Sequence, residues 1–161
     1  MLSEATLTRL RTELDLIPQL LAGASTASIT ARSPSGQWSA HENLAHLARH
    51  HQVFLERMHR ILNESEPELD QYRAESDASW PEWSSLSTGE VLGRLHSLRQ
   101  EITASVVGLT DVELGRAGIH PLFGKMSLAR WLEFFLLHEA HHLYIIMIRL
   151  GQARVVQARQ V

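Results

Sequence analysis

Residues 138–142 read His-Glu-Ala-His-His, and this stretch carries the clearest potential for chemistry in the chain. On a helix, His138 and His142 lie one turn apart and on the same side, so their imidazoles converge on one point. The ligands of a divalent metal must converge in this way. We predict that the pair binds metal, because burying two imidazoles without a strong partner would be costly.

The same residues match the pattern H-E-x-x-H, in which two histidines hold zinc and the glutamate is the base of a metalloprotease. Such a protease takes a third ligand downstream, but no histidine, aspartate or glutamate follows His142. The pattern therefore does not predict a protease. Glu139 is still the candidate catalytic residue, as a base or as a group that orients a metal-bound histidine, and a simple supporting or surface carboxylate is the alternative.

A di-iron carboxylate site is the second possibility, and it needs Glu-x-x-His on each of two helices and a lone glutamate on each of the others. Glu139 with His142 supplies one such pair. The other pair, Glu56 with His59, lies off the apolar face of its helix, and the third helix has glutamates only near its ends. This pattern disfavours a di-iron site.

Composition limits the ligands and the partners. The chain has 161 residues, ten histidines, no cysteine and a net charge of -3, so a metal must use nitrogen and oxygen ligands. The negative charge argues against a nucleic-acid partner. No apolar run is long enough to cross a membrane, and charged residues near the N-terminus are unlike a signal peptide. We expect a cytoplasmic protein that acts on a small-molecule substrate.

Four amphipathic helices are predicted to position these residues. The first runs from Ser3 to Leu21, with Pro18 kinking its last turns. The second begins after Ser39, which forms a capping box with Glu42, and runs to about Asn63. The third follows a second capping box, Ser87 with Glu90, and runs to about Leu109; the fourth runs from the N-cap Ser127 to Gly151.

The connections are predicted to be loops at 22–37, 64–83 and 115–125, with one extra helical turn where Thr110 precedes Glu113. The last ten residues are expected to fray. Because no stretch alternates as a strand does, we predict an all-α fold, a four-helix bundle that forms one domain over residues 1–161. Long loops after the second and third helices permit crossover connections.

The second helix offers three candidates for a third metal ligand. His51 lies within the apolar stripe of that helix, so periodicity favours it. His46 lies about 140° from the centre of the stripe, and His50 is close to the same face as His46. Periodicity alone leaves the choice between these histidines open.

Two segments resemble signatures of the DinB/YfiT-like superfamily. Trp38-Ser-Ala-His-Glu-Asn-Leu-Ala-His46-Leu is similar to its tryptophan-to-histidine signature, and Gly124-Lys-Met-Ser-Leu128 followed by His138-x-x-x-His142 is similar to its C-terminal one. The resemblance implies a four-helix bundle in up-down-down-up order, often a homodimer, with zinc or nickel held by three histidines. Carried over by position, these ligands are His46, His138 and His142.

Characterised relatives in that superfamily are thiol transferases that use a metal with a low-molecular-weight thiol such as bacillithiol or mycothiol, and thiol-dependent maleylpyruvate isomerases. The resemblance implies a metal-dependent thiol transferase or hydrolase, and a non-catalytic metal-binding stress or sensor protein is the alternative. Where an acidic residue commonly follows the histidine of the second helix, this chain has Arg49, His50 and His51.

Other residues receive weaker assignments. His51 is predicted to be a hydrogen-bonded core histidine and His50 a residue beside the site. Three aromatic residues are candidates for the pocket wall, Trp80, Trp83 and Tyr144. Four histidines are assigned to the surface or to loops without a role, His41, His59, His96 and His120.

Overall fold

The computed structural model describes residues 1–33 and 35–158, and most of them are helical. The helices are α1 (Glu4–Thr12), α2 (Ile17–Leu21), α3 (Thr26–Thr30), α4 (Ala40–Asn63), α5 (Trp80–Ser85), α6 (Thr88–Val106), α7 (Asp111–Gly115) and α8 (Leu128–Ala158). Two 3-10 turns lie at Glu13–Leu16 and Ala74–Ser76, and two strands, β1 (Ala117–His120) and β2 (Gly124–Ser127), form a hairpin.

Four helical segments form the bundle: the α1–α2 segment, α4, α6 and α8. Helix α4 packs against both α6 and α8, and buried apolar side chains fill the space between them. In one half of the core, the Phe54 ring stacks on Phe135 with ring centroids 4.3 Å apart. The predicted all-α four-helix bundle is confirmed. No helix in the described ranges is long and apolar enough to cross a membrane.

The first predicted helix is interrupted rather than continuous. Its α-helical geometry stops at Thr12, passes through the 3-10 turn Glu13–Leu16 and resumes in α2, with Pro18 in the first turn of α2. Proline has no N–H and its ring excludes the carbonyl one turn earlier, so an uninterrupted helix cannot run through this position. The break therefore precedes Pro18, while Leu14 on the 3-10 turn stays buried.

Helix α4 begins where the sequence predicts. The Ser39 hydroxyl accepts a hydrogen bond from the Glu42 N–H at 3.1 Å, and the Glu42 carboxylate accepts one from the Ser39 N–H at 2.9 Å. The two other predicted caps also form, Ser87 with Glu90 and Thr110 with Glu113. Each box satisfies amide groups that the first turn of a helix leaves without partners.

The end of α8 differs from the prediction. The helix does not end at Gly151 but continues to Ala158, so most of the tail that was expected to fray is helical; residues 159–161 lie outside the described residues. One glycine inside a helix costs only about 1 kcal/mol relative to alanine. Two arginines near Gly151 stabilise this part of α8, because Arg149 donates a hydrogen bond to the Trp38 carbonyl and Arg154 donates one to the Ala22 carbonyl.

The predicted loop at 115–125 contains the β-hairpin, so that prediction was wrong. Strands β1 and β2 pair in an antiparallel register from Ala117 opposite Ser127 to His120 opposite Gly124. Gly124 has a φ of 68°, the left-handed conformation that closes a three-residue hairpin loop. The hairpin also binds the connection after α4, because the Leu69 and Ile119 N–H groups donate to the carbonyls of Ile119 and Pro67, both at 2.9 Å.

Two further predicted loops contain short helices. The segment 22–37 includes α3, whose first turn is capped by the Ser25 hydroxyl. The connection 64–83 includes the start of α5, with Pro81 in the first turn of that helix. Polar composition predicted loops here, but a serine cap and a proline in the first turn also start short helices.

Candidate metal centre

Three histidines from two helices meet at one point in the bundle. His46 comes from the first half of α4, and His138 and His142 come from successive turns of α8. One nitrogen from each of these rings lies within 4.8 Å of the other two, and His46 Nε2 is 3.1 Å from His138 Nε2. In the described part of the chain, no other set of three such side chains converges in this way. The structure thus brings together the three predicted ligands.

The donor set fits zinc or nickel. For tetrahedral zinc with Zn–N bonds of about 2.0 Å, neighbouring ligand nitrogens lie about 3.3 Å apart, close to the 3.1 Å between His46 and His138. Burial lowers the pKa of His46, His138 and His142 to about 3 each, with a smaller contribution from the neighbouring histidines. The three rings are therefore neutral at physiological pH, which is the form that binds metal.

Asn43 fixes the orientation of one ring. Its Nδ2 donates to the Ser39 carbonyl at 2.8 Å, so its Oδ1 is the acceptor that faces His142 Nδ1, also at 2.8 Å. His142 must then carry its proton on Nδ1, which leaves the Nε2 lone pair free for a metal. No sequence pattern distinguishes Asn43, although it lies one turn before His46 on the same helix.

The other two rings are not satisfied by protein groups. Nδ1 of His46 and Nδ1 of His138 are buried and have no hydrogen-bond partner among the described residues. Buried imidazole nitrogens without partners are unfavourable. The facing Nε2 atoms of His46 and His138 can form a hydrogen bond only if one of them carries the proton, whereas a bound cation would use a lone pair from each.

Aromatic rings surround His46. Its ring lies 5.1 Å from Trp38 and 5.6 Å from Tyr72 between centroids, and Trp80 stacks on Trp38. Trp80 is thus close to the cluster, as predicted.

The other two aromatic residues predicted for the pocket wall lie elsewhere. The Trp83 side chain is buried in the core, with the Arg94 guanidinium over its ring. Tyr144 is 58% exposed on the outer side of α8. Neither residue lines a pocket at the three histidines.

The two other candidate ligands on α4 lie close to the centre without joining it. The His50 ring packs on His138, with centroids 4.0 Å apart. His51 lies in the core, where its Nδ1 is 2.7 Å from the Leu47 carbonyl oxygen and its Nε2 is 3.0 Å from Glu139 Oε2. His51 is therefore a hydrogen-bonded core histidine and His50 a neighbour of the site.

Glu139 takes part in a buried charge network. Its side chain is 0% exposed and accepts from the Arg99 guanidinium, and His51 lies beside the same carboxylate oxygen. Although burial opposes ionisation, His51 and Arg99 hold the pKa of Glu139 below its usual value. None of its described contacts is with the three clustered histidines, so the predicted catalytic role of Glu139 gains no support from this geometry.

The network includes a second carboxyl group, that of Glu13 on the 3-10 turn. Glu13 Oε2 and Glu139 Oε1 are both buried and have no donor among the described residues. Burial, followed by the charge of Glu139, raises the pKa of Glu13 to about 7, whereas that of Glu139 is lowered. Glu13 is therefore the member of the pair that holds a proton near neutral pH, and sequence patterns give no signal for this non-local contact.

Two of the histidines that were assigned no role are in fact buried. His41 contacts the Thr88 hydroxyl at 3.0 Å and the Ser84 carbonyl at 3.3 Å, which joins α4 to the start of α6. His120 is the last residue of β1, and its Nδ1 accepts from two backbone N–H groups. The surface or loop position predicted for these two residues was wrong, because His41 packs against the α5–α6 segment and His120 lies on a hairpin in place of the predicted loop. His59 and His96 are exposed, as expected.

The protein is thus a four-helix bundle in which three histidines from two helices form a candidate metal centre. The chain belongs to the DinB superfamily, whose family model matches residues 9–146. It is also similar in structure to YfiT from Bacillus subtilis, described as a probable metal-dependent hydrolase with an unusual four-helix bundle topology. That match has a TM-score of 0.79 and 18% sequence identity, and covers 98% of this chain and 91% of YfiT. At this identity the likeness shows the fold alone. No curated protein matches the sequence significantly.

Proposed function

We propose that this protein is a metal-dependent enzyme that uses His46, His138 and His142 as ligands and acts as a thiol S-transferase or a hydrolase. The observation that carries the proposal is the convergence of three neutral, shielded imidazoles within 4.8 Å of one another. Membership of the DinB superfamily and the description of YfiT as a probable metal-dependent hydrolase agree with it.

The donor set suits catalysis by a divalent metal. Three neutral ligands leave the charge of the ion uncompensated and a coordination position open, and a zinc or nickel ion there lowers the pKa of a bound water or thiol. The protein's own part is to hold His142 through Asn43 and to restrict solvent around His46 with Trp38 and Trp80. Because the chain has no cysteine, a thiol nucleophile must come from a second substrate.

Four finer elements belong to this proposal: zinc or nickel as the metal, a low-molecular-weight thiol as co-substrate, a small electrophile as acceptor and the cytoplasm as the compartment. Nitrogen-only ligands favour zinc and nickel over magnesium and calcium, which prefer oxygen. The reduced cytoplasm is where free low-molecular-weight thiols are abundant.

Metal analysis is the first test. Protein purified without a histidine tag and without chelator should contain about one equivalent of zinc or nickel per chain, as a single three-ligand site requires. His46→Ala should contain well under half an equivalent. His59→Ala is the matched control, because His59 is exposed on the same helix. A metal-free wild-type protein that takes up neither ion would refute the proposal.

Activity is the second test, and it separates enzyme from sensor. The metal-loaded protein should accelerate conjugation of monobromobimane with bacillithiol or mycothiol, or hydrolysis of a p-nitrophenyl ester, and a chelator should remove the activity. His59→Ala should remain active and His46→Ala should not. Stoichiometric metal without either activity would favour the alternative, a non-catalytic metal-binding stress or sensor protein.

A further inference from the structure

A cavity of about 220 Å³ opens beside the candidate metal centre. His138 forms part of its wall, so the cavity adjoins the three-histidine cluster. Its wall also includes His50, Arg57, Tyr72, His120, Phe123 and Phe134. They come from α4, from the connection after α4, from the hairpin and from α8. No aspartate or glutamate lines this cavity.

Arg57 places a buried positive charge at this cavity, and the Asp70 and Glu56 carboxylates act on it only from beyond ion-pair distance. Its side chain is only 7% exposed, donates to the Asp70 carbonyl and lies over the Trp131 ring at 5.5 Å. In the described ranges, no carboxylate forms an ion pair with it, whereas the buried Arg99 is paired with Glu139. Burial lowers the pKa of Arg57, yet a guanidinium stays charged near neutral pH. A ligand carboxylate in contact with Arg57 would supply the close counter-charge that the Asp70 and Glu56 side chains do not supply.

His120 adds a donor with a defined tautomer. Its Nδ1 lies 3.1 Å from the Leu122 amide nitrogen and 3.2 Å from that of Phe123, and both N–H groups donate to it. The Nδ1 atom is therefore an acceptor, and the neutral ring must carry its proton on Nε2. Burial lowers the pKa of His120, which keeps the ring neutral. His120 thus brings one N–H donor to the wall of the cavity.

His50 supplies an unsatisfied polar group. Its side chain is 4% exposed, it lines the cavity and its Nδ1 has no hydrogen-bond partner among the described residues. Most buried polar groups in proteins are hydrogen-bonded, so this nitrogen lacks a partner that a ligand in the cavity would provide.

The remaining wall is aromatic. The Phe123 ring stacks on His120 with centroids 4.7 Å apart and meets Phe134 edge-on at 5.5 Å. On the opposite side, the Tyr72 ring lies 5.7 Å from that of His50. Flat rings around a small cavity favour a planar, unsaturated ligand.

We infer that this cavity is the substrate subsite of the metal centre and that Arg57, with His120 and His50, binds the carboxylate of a small, planar substrate. The inference rests on the proposed function, because it places the reacting part of that substrate next to His138. A guanidinium is suited to carboxylates through paired hydrogen bonds, and the absence of acidic residues avoids repulsion. Arg57 is accordingly a residue that determines specificity.

Benzoate and benzamide are suitable probes, because they share a planar ring and differ in charge. We expect isothermal titration calorimetry to show that wild-type protein binds benzoate at least about tenfold more tightly than benzamide, in metal-loaded and in chelated samples. Arg57→Gln should remove this preference, and Arg57→Lys should keep part of it. Arg60→Gln is the matched control, since Arg60 is exposed one turn further along α4 and pairs with Glu64.

The outcomes are distinguishable. A benzoate preference that disappears with chelator would mean that the carboxylate binds the metal, and this would overturn the inference, as would equal binding of the two probes. The comparison in wild-type protein needs no variant, so it holds even if Arg57→Gln fails to fold. Absence of bound metal would count against the proposed function. Loss of the benzoate preference in Arg60→Gln but not in Arg57→Gln would contradict the role inferred for Arg57.

Discussion

His46 illustrates why a candidate metal ligand need not lie on the apolar stripe of its helix. Periodicity favoured His51, and His51 is indeed deeper in the core, where it contacts Leu47 and Glu139. His46 lies on another side of α4, well away from the centre of the stripe, where its ring meets those of Trp38 and Tyr72. A metal site needs room for a substrate, so a position outside the densest apolar packing suits it better than the centre of the stripe.

Single alanine substitutions of the three α4 histidines test this difference. We predict that His46→Ala lowers zinc affinity by about 100-fold or more, because one of three ligands is lost. His50→Ala should change it much less, and His51→Ala should act on stability rather than affinity. Competition with a chromogenic chelator measures all three variants. If His51→Ala lost the most affinity, the assignment of His46 would be wrong.

The Glu139 network also yields a prediction for a single residue. Glu139→Gln leaves the buried Arg99 charge without its partner, a change that costs about 3–5 kcal/mol. The loss in the free energy of unfolding should fall near the lower end of this range, since Glu13 can ionise and partly replace Glu139 as the partner of Arg99. Glu133→Gln is the control on the same helix, because its partly exposed pair with Arg9 contributes about 1 kcal/mol or less.

Urea unfolding of these two variants measures the free energies, and turnover per bound metal measures catalysis. If Glu139 is a structural residue, Glu139→Gln should have low stability but a turnover close to that of the wild-type protein. Loss of turnover in a variant that stays folded and metal-loaded would instead support the catalytic role predicted from the sequence.

At the residue scale, sequence patterns identified the groups that share one helix and missed those that meet across the fold. The spacing of His138 and His142 follows from helix geometry, and resemblance supplied His46. Arg57 and His120 come together only because a hairpin folds against α4, and no local pattern records that contact. Their role in the cavity therefore could not be predicted.

Among the elements, long helices were predictable and short ones were not. The capping boxes at Ser39 and Ser87 mark helix starts with two reciprocal hydrogen bonds each, so α4 and α6 begin as predicted. The hairpin strands have only four residues each and depend on bonds from Leu69 and to Pro67, which are far away in sequence. Such non-local pairing leaves little periodicity to detect.

The 3-10 turn Glu13–Leu16 has a testable effect on pH dependence. The pKa of Glu13 is about 7 in the folded protein, above the ordinary 4.5 of the unfolded chain, so the folded state binds the proton more tightly. The stability from this proton is present below pH 4.5 and is lost as pH rises through about 7. Solvent screening reduces the effect, because Glu13 is partly exposed.

Glu13→Gln keeps a neutral side chain that can donate to Glu139 at every pH. We predict that its Tm, relative to that of the wild-type protein, rises between about pH 5 and about pH 8. Subtracting the Tm of the wild-type protein removes the effect of the buried histidines. Their titration changes the Tm of both proteins alike, in the direction opposite to that of Glu13. Thermal melts at three pH values suffice, and a difference that does not change with pH would show that folding does not raise the pKa of Glu13.

The outer face of α8 has no partner among the described residues. Three large apolar side chains are exposed along it, Leu137, Tyr144 and Met147. Their spacing of seven and three residues aligns them along one side of the helix. We propose that this face forms the interface of the homodimer that the sequence resemblance implies, since a twofold axis would pair the stripe with its own copy.

Sedimentation velocity tests this proposal. The wild-type protein should sediment as a dimer at micromolar concentration, and Tyr144→Glu or Met147→Lys should shift it toward monomer, because a charge buried in an apolar interface is unfavourable. Val112→Lys is the control, since Val112 is exposed on α7 and lies outside the stripe. A monomeric wild-type protein would refute the dimer itself. Dimers that persist in both α8 variants would place the interface on another face, while His142, two residues from Tyr144, should keep its zinc affinity in every variant that folds.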